Sequence, residues 1–361
     1  MELEFTPEQE DLRRNVRTVL ERECPISLVR RVVEKGTPAD ELWATLVALG
    51  WPALGIPEEH GGLGLGFVEL AVVLEELGRA VAPVPYLATV TQFAPVVREA
   101  GDPTQQARFL GAVASGGITG AVATGVRAHL QEGHWVLDGT ARYVLDGSTA
   151  DEIAVVATVE AGDGTGLFVV PREAVTVTPV RVVDATRPVA HLTFASLPVA
   201  PDRVLGEPGA LARASERARE EATVAVALEA LGTCQAIFDI ALAYAKVREQ
   251  FGVPIGSFQA IKHKFADMLV ALEKARATAY FAACTIAEDD PRRTLAASMA
   301  KAAIGDCQRL IAQEGIQILG GIGYTWEHDM HLYVKRAKTA EALFGTAREH
   351  RARVAALIGL G

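Results

Sequence analysis

Positive charge is in short supply. The 361 residues carry 35 Lys+Arg against 45 Asp+Glu, a formal net charge of −10, which makes a poor partner for the phosphate backbone of nucleic acid. Cysteine is scarce and scattered. Cys24, Cys234, Cys284 and Cys307 form no CxxC pair, which argues against a zinc site or a disulfide framework and leaves reduced core thiols as the expectation. The opening Met1-Glu2-Leu3-Glu4-Phe5-Thr6 has neither a basic segment nor an apolar one, so no secretory signal is read and a cytoplasmic location is expected. Long apolar runs are missing too: Ala222–Phe238 comes nearest, but Glu229 interrupts it and it falls short of the ~20 residues of a membrane span. A buried helix accounts for it better.

What the chain has in quantity is core material. Half of it is apolar and only 22% is charged, a globular composition sufficient for two or three folding units. From Thr6 to about Gly111 the period is helical. Thr6-Pro7-Glu8-Gln9 reads as a capping box, Leu12, Val16, Val19 and Leu20 share one face, and a further helix runs from Asp40 to Gly50. Gly61–Gly66 is read as a turn before a helix over Phe67–Gly78, because no buried strand precedes it as a phosphate loop requires. Short β-branched runs such as Ile153–Val159 and Leu167–Val170 follow, with Asp138-Gly139 and Asp146-Gly147 as hairpin signals, predicting a compact antiparallel sheet or barrel. Beyond Pro208 long helices return near Gly209–Lys246, Phe258–Glu288 and Pro291–Leu319, lengths that suit an antiparallel bundle. The expectation is an α+β fold, mostly α, with a helical N-terminal domain over 1–112, a β middle domain over 113–206 and a helical C-terminal domain over 207–361.

Two segments carry most of the chemistry. One runs from Tyr244 through Arg248, Phe251, Gly252, Pro254, Phe258 and Gln259 to His263 and Asp267; the other is Gln317-Ile318-Leu319-Gly320-Gly321-Ile322-Gly323-Tyr324. A guanidinium such as Arg248 can fork onto a pyrophosphate, Phe251 offers an apolar ring face, and Gly320-Gly321 lets a phosphate or adenosine approach bare backbone N–H groups. Together these motifs resemble the acyl-CoA dehydrogenase family, and the order of helical, β and helical domains is also that family's. The resemblance implies a C-terminal four-helix bundle and FAD as cofactor. The positions it assigns to FAD are Arg248, Phe251, Gln259, Gln317, Ile318, Leu319, Gly320 and Gly321, reaching across a dimer interface to FAD held mainly by the neighbouring subunit.

The same resemblance exposes what is missing. The family removes the α-proton of an acyl-CoA thioester with a Glu while the β-hydride goes to the flavin. That Glu commonly precedes Gly-Thr, where this chain has Phe344; other members place it on the first C-domain helix, at the position of Ala222 here. Neither residue accepts a proton. Glu221 is a displaced alternative, but it sits in the charged run Glu216–Glu221, where a solvated or salt-bridged face is the plainer reading. In the middle domain the family's acidic flavin-binding segment becomes Thr119–His129, and the hydroxyl expected near flavin N5 is replaced by Leu145.

Half a site implies a partner. The stretch Gly323-Tyr324-Thr325-Trp326-Glu327-His328-Asp329 is similar to heteromeric acyl-CoA dehydrogenases of bacterial steroid side-chain catabolism, α2β2 tetramers with a base in one subunit type. The chain is therefore read as the base-less subunit of such an enzyme, with an acyl-CoA substrate and an electron-transfer flavoprotein as acceptor. The competing readings are a homotetramer using Glu221 and a non-catalytic homologue. His328 and His331 lack the further ligands of a metal set, and Arg348, Arg351 and Arg353 read as a charged helix face.

Overall fold

The computed structural model describes residues 5–159 and 164–360. Its first helix, α1 (Pro7–Glu23), begins at the expected capping box: Gln9 N–H donates to Thr6 Oγ1 at 3.3 Å, and Thr6 N–H donates to Gln9 Oε1 at 3.1 Å. Helices α2 (Ile26–Lys35), α3 (Asp40–Ala48) and α4 (Phe67–Arg79) follow. The run from Tyr86 to Ala100 comprises α5 (Tyr86–Ala88), a π-helical turn (Thr89–Phe93) and α6 (Ala94–Ala100). Asp102 opens α7 (Pro103–Ala114) with a second capping box, closed by Gln105. The strands are β1 (Gly120–Gln131), β2 (His134–Leu145), β3 (Glu152–Val159), β4 (Gly164–Pro171), β5 (Thr176–Val180), β6 (Val189–Val199) and β7 (Val204–Gly209). Helix α8 (Ala212–Val247) leads into a small ribbon of β8 (Glu249–Gln250) and β9 (Val253–Pro254). Helices α9 (Gln259–Ala287), α10 (Arg293–Leu319), α11 (Met330–Ala342) and α12 (Ala347–Leu357) complete the chain.

The chain forms two compact units, one of Thr37–Gly66 and Pro83–Ala222, the other of Met1–Gly36, Phe67–Ala82 and Thr223–Gly361. The first holds a seven-stranded sheet in the order β5-β6-β2-β1-β3-β4-β7. Residues of β3 alternate between its faces: Ile153, Val155, Ala157 and Val159 enter one core, while Ala154 turns to a second core with Phe93, Val97, Phe109 and Val113 from the helices. Three sequence expectations are corrected here. The sheet is mixed rather than antiparallel, because β1 and β3 run parallel. Asp138-Gly139 is not a hairpin turn but a bulge inside β2, where the pairing with β6 slips between Leu137 and Gly139 and Asp138 Oδ1 accepts from Ser196 N–H at 2.7 Å. The β1–β2 turn is Glu132-Gly133, with φ of 51° and 82°, the doubly left-handed geometry that suits strand twist. Asp146-Gly147 ends β2 without making a hairpin, since the next strand, β3, pairs with β1 and β4.

The second unit is helical. Its α4 and α8 segments touch backbone to backbone: a Cβ on Gly78 would lie 1.9 Å from the Glu229 carbonyl oxygen, and one on Gly232 would lie 1.7 Å from that of Glu75. Thr233 Oγ1 seals the contact by donating to the Gly78 carbonyl at 3.0 Å. Among the described residues α8 is the one helix long and apolar enough to cross a membrane by composition, yet 83% of its apolar window is buried within the protein, as a core helix requires. Two of the buried carboxylates, Glu229 and Glu75, are paired. Arg336 donates to Glu229 at 2.7 Å, and Tyr280 Oη donates to Glu75, which Arg276 also holds.

Candidate functional site

The two motif segments converge at one end of the helical unit. Arg248 closes α8, its N–H donating to the Tyr244 carbonyl at 2.9 Å, and the ribbon that follows turns at Phe251-Gly252 with φ of 55° and 79°. Both residues are left-handed, the geometry of a two-residue hairpin, and the Phe251 ring at the tip is 92% exposed. Gln259 is the first residue of α9 and is exposed. Helices α9 and α10 pack together, with Lys264 Nζ donating to Glu314 Oε2 at 2.5 Å. Five residues from that pair, roughly 7.5 Å of rise, lie the start of α9 at Gln259 and the end of α10 at Leu319, so the segments ending at Gln259 and beginning at Gln317 share that end.

The Gln317–Gly321 run divides its roles by burial. Gln317, Gly320 and Gly321 are exposed, whereas Ile318 and Leu319 are buried. Gly320 has φ +65° and ψ −140°, a combination open only to glycine, and it terminates α10. Beyond the adjoining residues of the chain, nothing lies within 4 Å of a Cβ built on Gly320 or on Gly321. Among the described residues Arg248 makes no ion pair. A free guanidinium, bare backbone and an exposed ring are a donor set that fits the pyrophosphate and ring parts of a flavin nucleotide.

The two base positions lie elsewhere and hold no carboxylate. Phe344 is half-buried in the loop between α11 and α12, with φ +58°. That loop is pinned: buried Lys301 on α10 donates from Nζ to the carbonyls of Ala340 and Glu341 at 3.1 Å and Gly345 at 2.8 Å, and His350 Nε2 donates to the Phe344 carbonyl at 2.9 Å. Burial pushes the Lys301 ammonium down to about 8. Sequence reasoning missed both residues. The available signal was a Lys set among Ala297, Ala300, Ala302 and Ile304, in the apolar stretch of this helix.

Ala222 is buried on α8, and the acidic run before it is not a solvated face. Glu220 and Glu221 are buried, and Glu221 Oε1 accepts from Arg98 Nη2 at 2.5 Å. Arg217 holds Glu99 at 2.7 Å beside it, so the salt-bridged half of the expectation describes this surface and the solvated half does not. In the sheet, Leu145 is buried and Thr124-Gly125 forms an exposed bulge of β1. Tyr143, with φ +57°, stands 63% exposed, its N–H donating to His191 Nδ1 at 3.2 Å and its ring set edge-on to the imidazole.

Comparison with known proteins fits this arrangement. Residues 6–117 match the family model of the acyl-CoA dehydrogenase N-terminal domain, and residues 213–359 match that of the C-terminal domain. The chain is 35% identical to acyl-CoA dehydrogenase FadE34 of Mycobacterium tuberculosis over 89% of its own length, although it spans only 42% of that longer protein. It is 34% identical to acyl-CoA dehydrogenase IpdE2 of the same organism, covering 95% of this chain and 94% of the other. Among solved structures, a chain of the ChsE4-ChsE5 complex from Mycobacterium tuberculosis superposes with a TM-score of 0.92 at 28% identity, covering 100% of both chains. With two matched domains and relatives of this similarity, the chain belongs to the acyl-CoA dehydrogenase family, flavin-dependent oxidoreductases acting on the CH–CH bond of an acyl-CoA.

Proposed function

We propose that this chain is the base-less subunit of a heteromeric, FAD-dependent acyl-CoA dehydrogenase, an α2β2 assembly in which an unlike subunit supplies the catalytic Glu. The substrate is a bulky acyl-CoA, steroid side-chain derived by the resemblance of the Gly323–Asp329 segment. One observation carries the reading: both base positions are occupied by residues that take no proton, Phe344 and Ala222, while Arg248, Phe251, Gln259, Gly320 and Gly321 remain exposed together at one end of the bundle. The likeness to a chain of the ChsE4-ChsE5 complex supports an unlike partner.

In this reading Arg248 would hold the pyrophosphate, with the Gly320 and Gly321 N–H groups as further donors to the nucleotide and Phe251 as an apolar cover. Bound FAD supplies the hydride acceptor. Phe344 excludes water from the base position and leaves the α-proton to a carboxylate of the other subunit. An electron-transfer flavoprotein reoxidises the assembly, and its place is the cytoplasm. The division into a helical domain over 1–112, a β domain over 113–206 and a helical domain over 207–361 belongs to the same proposal.

A native mass spectrum of the tagged protein isolated from its own host tests this. The expected species contains two copies of this chain, two of an unlike acyl-CoA dehydrogenase subunit, and fewer FAD than chains. A homotetramer with one FAD per chain would overturn the proposal and move the search for a base to Glu221.

A further inference from the structure

The helical run from Tyr86 to Ala100 is interrupted. Thr89–Phe93 form a π turn between α5 and α6, a rare widened turn that gathers at functional positions. Its threonines are satisfied internally: Thr89 Oγ1 accepts from Gly120 N–H at 3.0 Å, and Thr91 Oγ1 donates to the Leu87 carbonyl at 2.7 Å. Gln92 is different. The residue is 6% exposed, and its Nε2 has no hydrogen-bond partner among the described residues. A buried amide donor left unpaired costs as much as a hydrogen bond gains, so such groups call for an explanation. Around it in the chain Leu87, Ala88, Val90, Phe93 and Ala94 are buried and apolar. The run then reaches Arg98, which holds Glu221, the neighbour of Ala222, and so belongs to the same compact unit as one of the two base positions.

We propose that Gln92 is a specificity-determining residue whose Nε2–H donates to an oxygen carried by the acyl part of the substrate. Acyl groups bearing a ketone, hydroxyl or carboxyl oxygen satisfy the amide, and hydrocarbon groups of the same skeleton leave it unpaired. An apolar neighbourhood suits the acyl moiety and not the polyanionic CoA. This inference rests on the reading of the chain as an acyl-CoA dehydrogenase subunit.

The test uses the flavin-loaded assembly and two CoA thioesters with one fused-ring skeleton, identical except that one carries a ring ketone. Binding is followed by the change in flavin absorbance without an acceptor, and kcat/KM with one. Wild type is expected to favour the ketone by about 10-fold to 100-fold. In Gln92→Leu and Gln92→Met the ratio falls to near one, chiefly by loss on the ketone, and the unfolding temperature of the ligand-free protein does not drop. A preference unchanged in both variants, or unfolding several degrees lower in both, overturns the assignment and leaves the dehydrogenase reading standing. Failure of wild type to bind or oxidise either thioester overturns both.

Discussion

Glu221 is the carboxylate nearest in sequence to a base position, and its surroundings decide against it. A base must present a free oxygen to the α-carbon, whereas Glu221 Oε1 is engaged at 2.5 Å by Arg98 in a charge-assisted bond, on a buried face. Its helix position also points about 100° away from that of Ala222. Glu221→Gln is therefore expected to leave turnover of the assembled enzyme within about twofold and to cost about 1–3 kcal/mol of stability as Arg98 loses its counter-charge. Steady-state assays and urea unfolding read these separately, and a loss of turnover of several orders of magnitude would identify Glu221 as the base. Phe344 presents the complementary case. Its identity, and hence the missing carboxylate, is legible in the sequence, but its left-handed backbone is not, because the loop that holds it is fixed by a bond from Lys301 more than 40 residues away and one from His350 in the next helix.

Elements whose cause is local were legible, and those whose cause is tertiary were not. Thr6-Pro7-Glu8-Gln9 announced α1 because the cap bonds lie within four residues; Asp102-Pro103-Thr104-Gln105 has the same signature and opens α7. Asp138-Gly139 misled because a bulge and a hairpin turn both favour residues that accept positive φ, and Gly139, at φ +125°, serves the bulge. The meeting of Gln259 with Gln317–Gly321 followed only once α9 and α10 folded back on each other. Lys301 tests the end of α10 that faces the α11–α12 loop. Its folded-state value is pushed down to about 8 from an ordinary 10.5, so between those pH values the unfolded chain binds more protons and stability rises with pH. The gain from this group is about 3 kcal/mol, complete above 10.5 and lost as pH falls through 8. Lys301→Met is less stable at pH 7, because three carbonyls lose their donor, and lacks that rise. Urea unfolding of both proteins at pH 7, 8, 9 and 10 checks whether the slopes part above pH 8.

At the scale of the molecule, the helical unit exposes more apolar surface at one end than an isolated acidic protein needs. Val247, Phe251, Tyr324 and Trp326 are each more than half exposed, and the first two flank the free Arg248. On the proposed heteromeric reading, these rings and the cation beside them would be covered by the other chain and the anion it holds. Phe251→Asn examines this without disturbing the ribbon. Asn-Gly is the preferred pair for a two-residue turn with both φ positive, so the variant hairpin, at φ of 55° and 79°, is at least as well formed as the native one. The folded chain loses little, because a 92% exposed ring contributes almost nothing to its own core. Co-expressed with its partner, the variant is expected to keep native circular dichroism and unfolding temperature as a separated chain, while the assembly elutes at lower mass and retains less flavin. An assembly of unchanged mass and flavin content would place Phe251 outside the interface and leave its exposure to another role. A drop in flavin without a change in mass would confine its contact to the cofactor, because subunit association and nucleotide contact are separable demands on one ring.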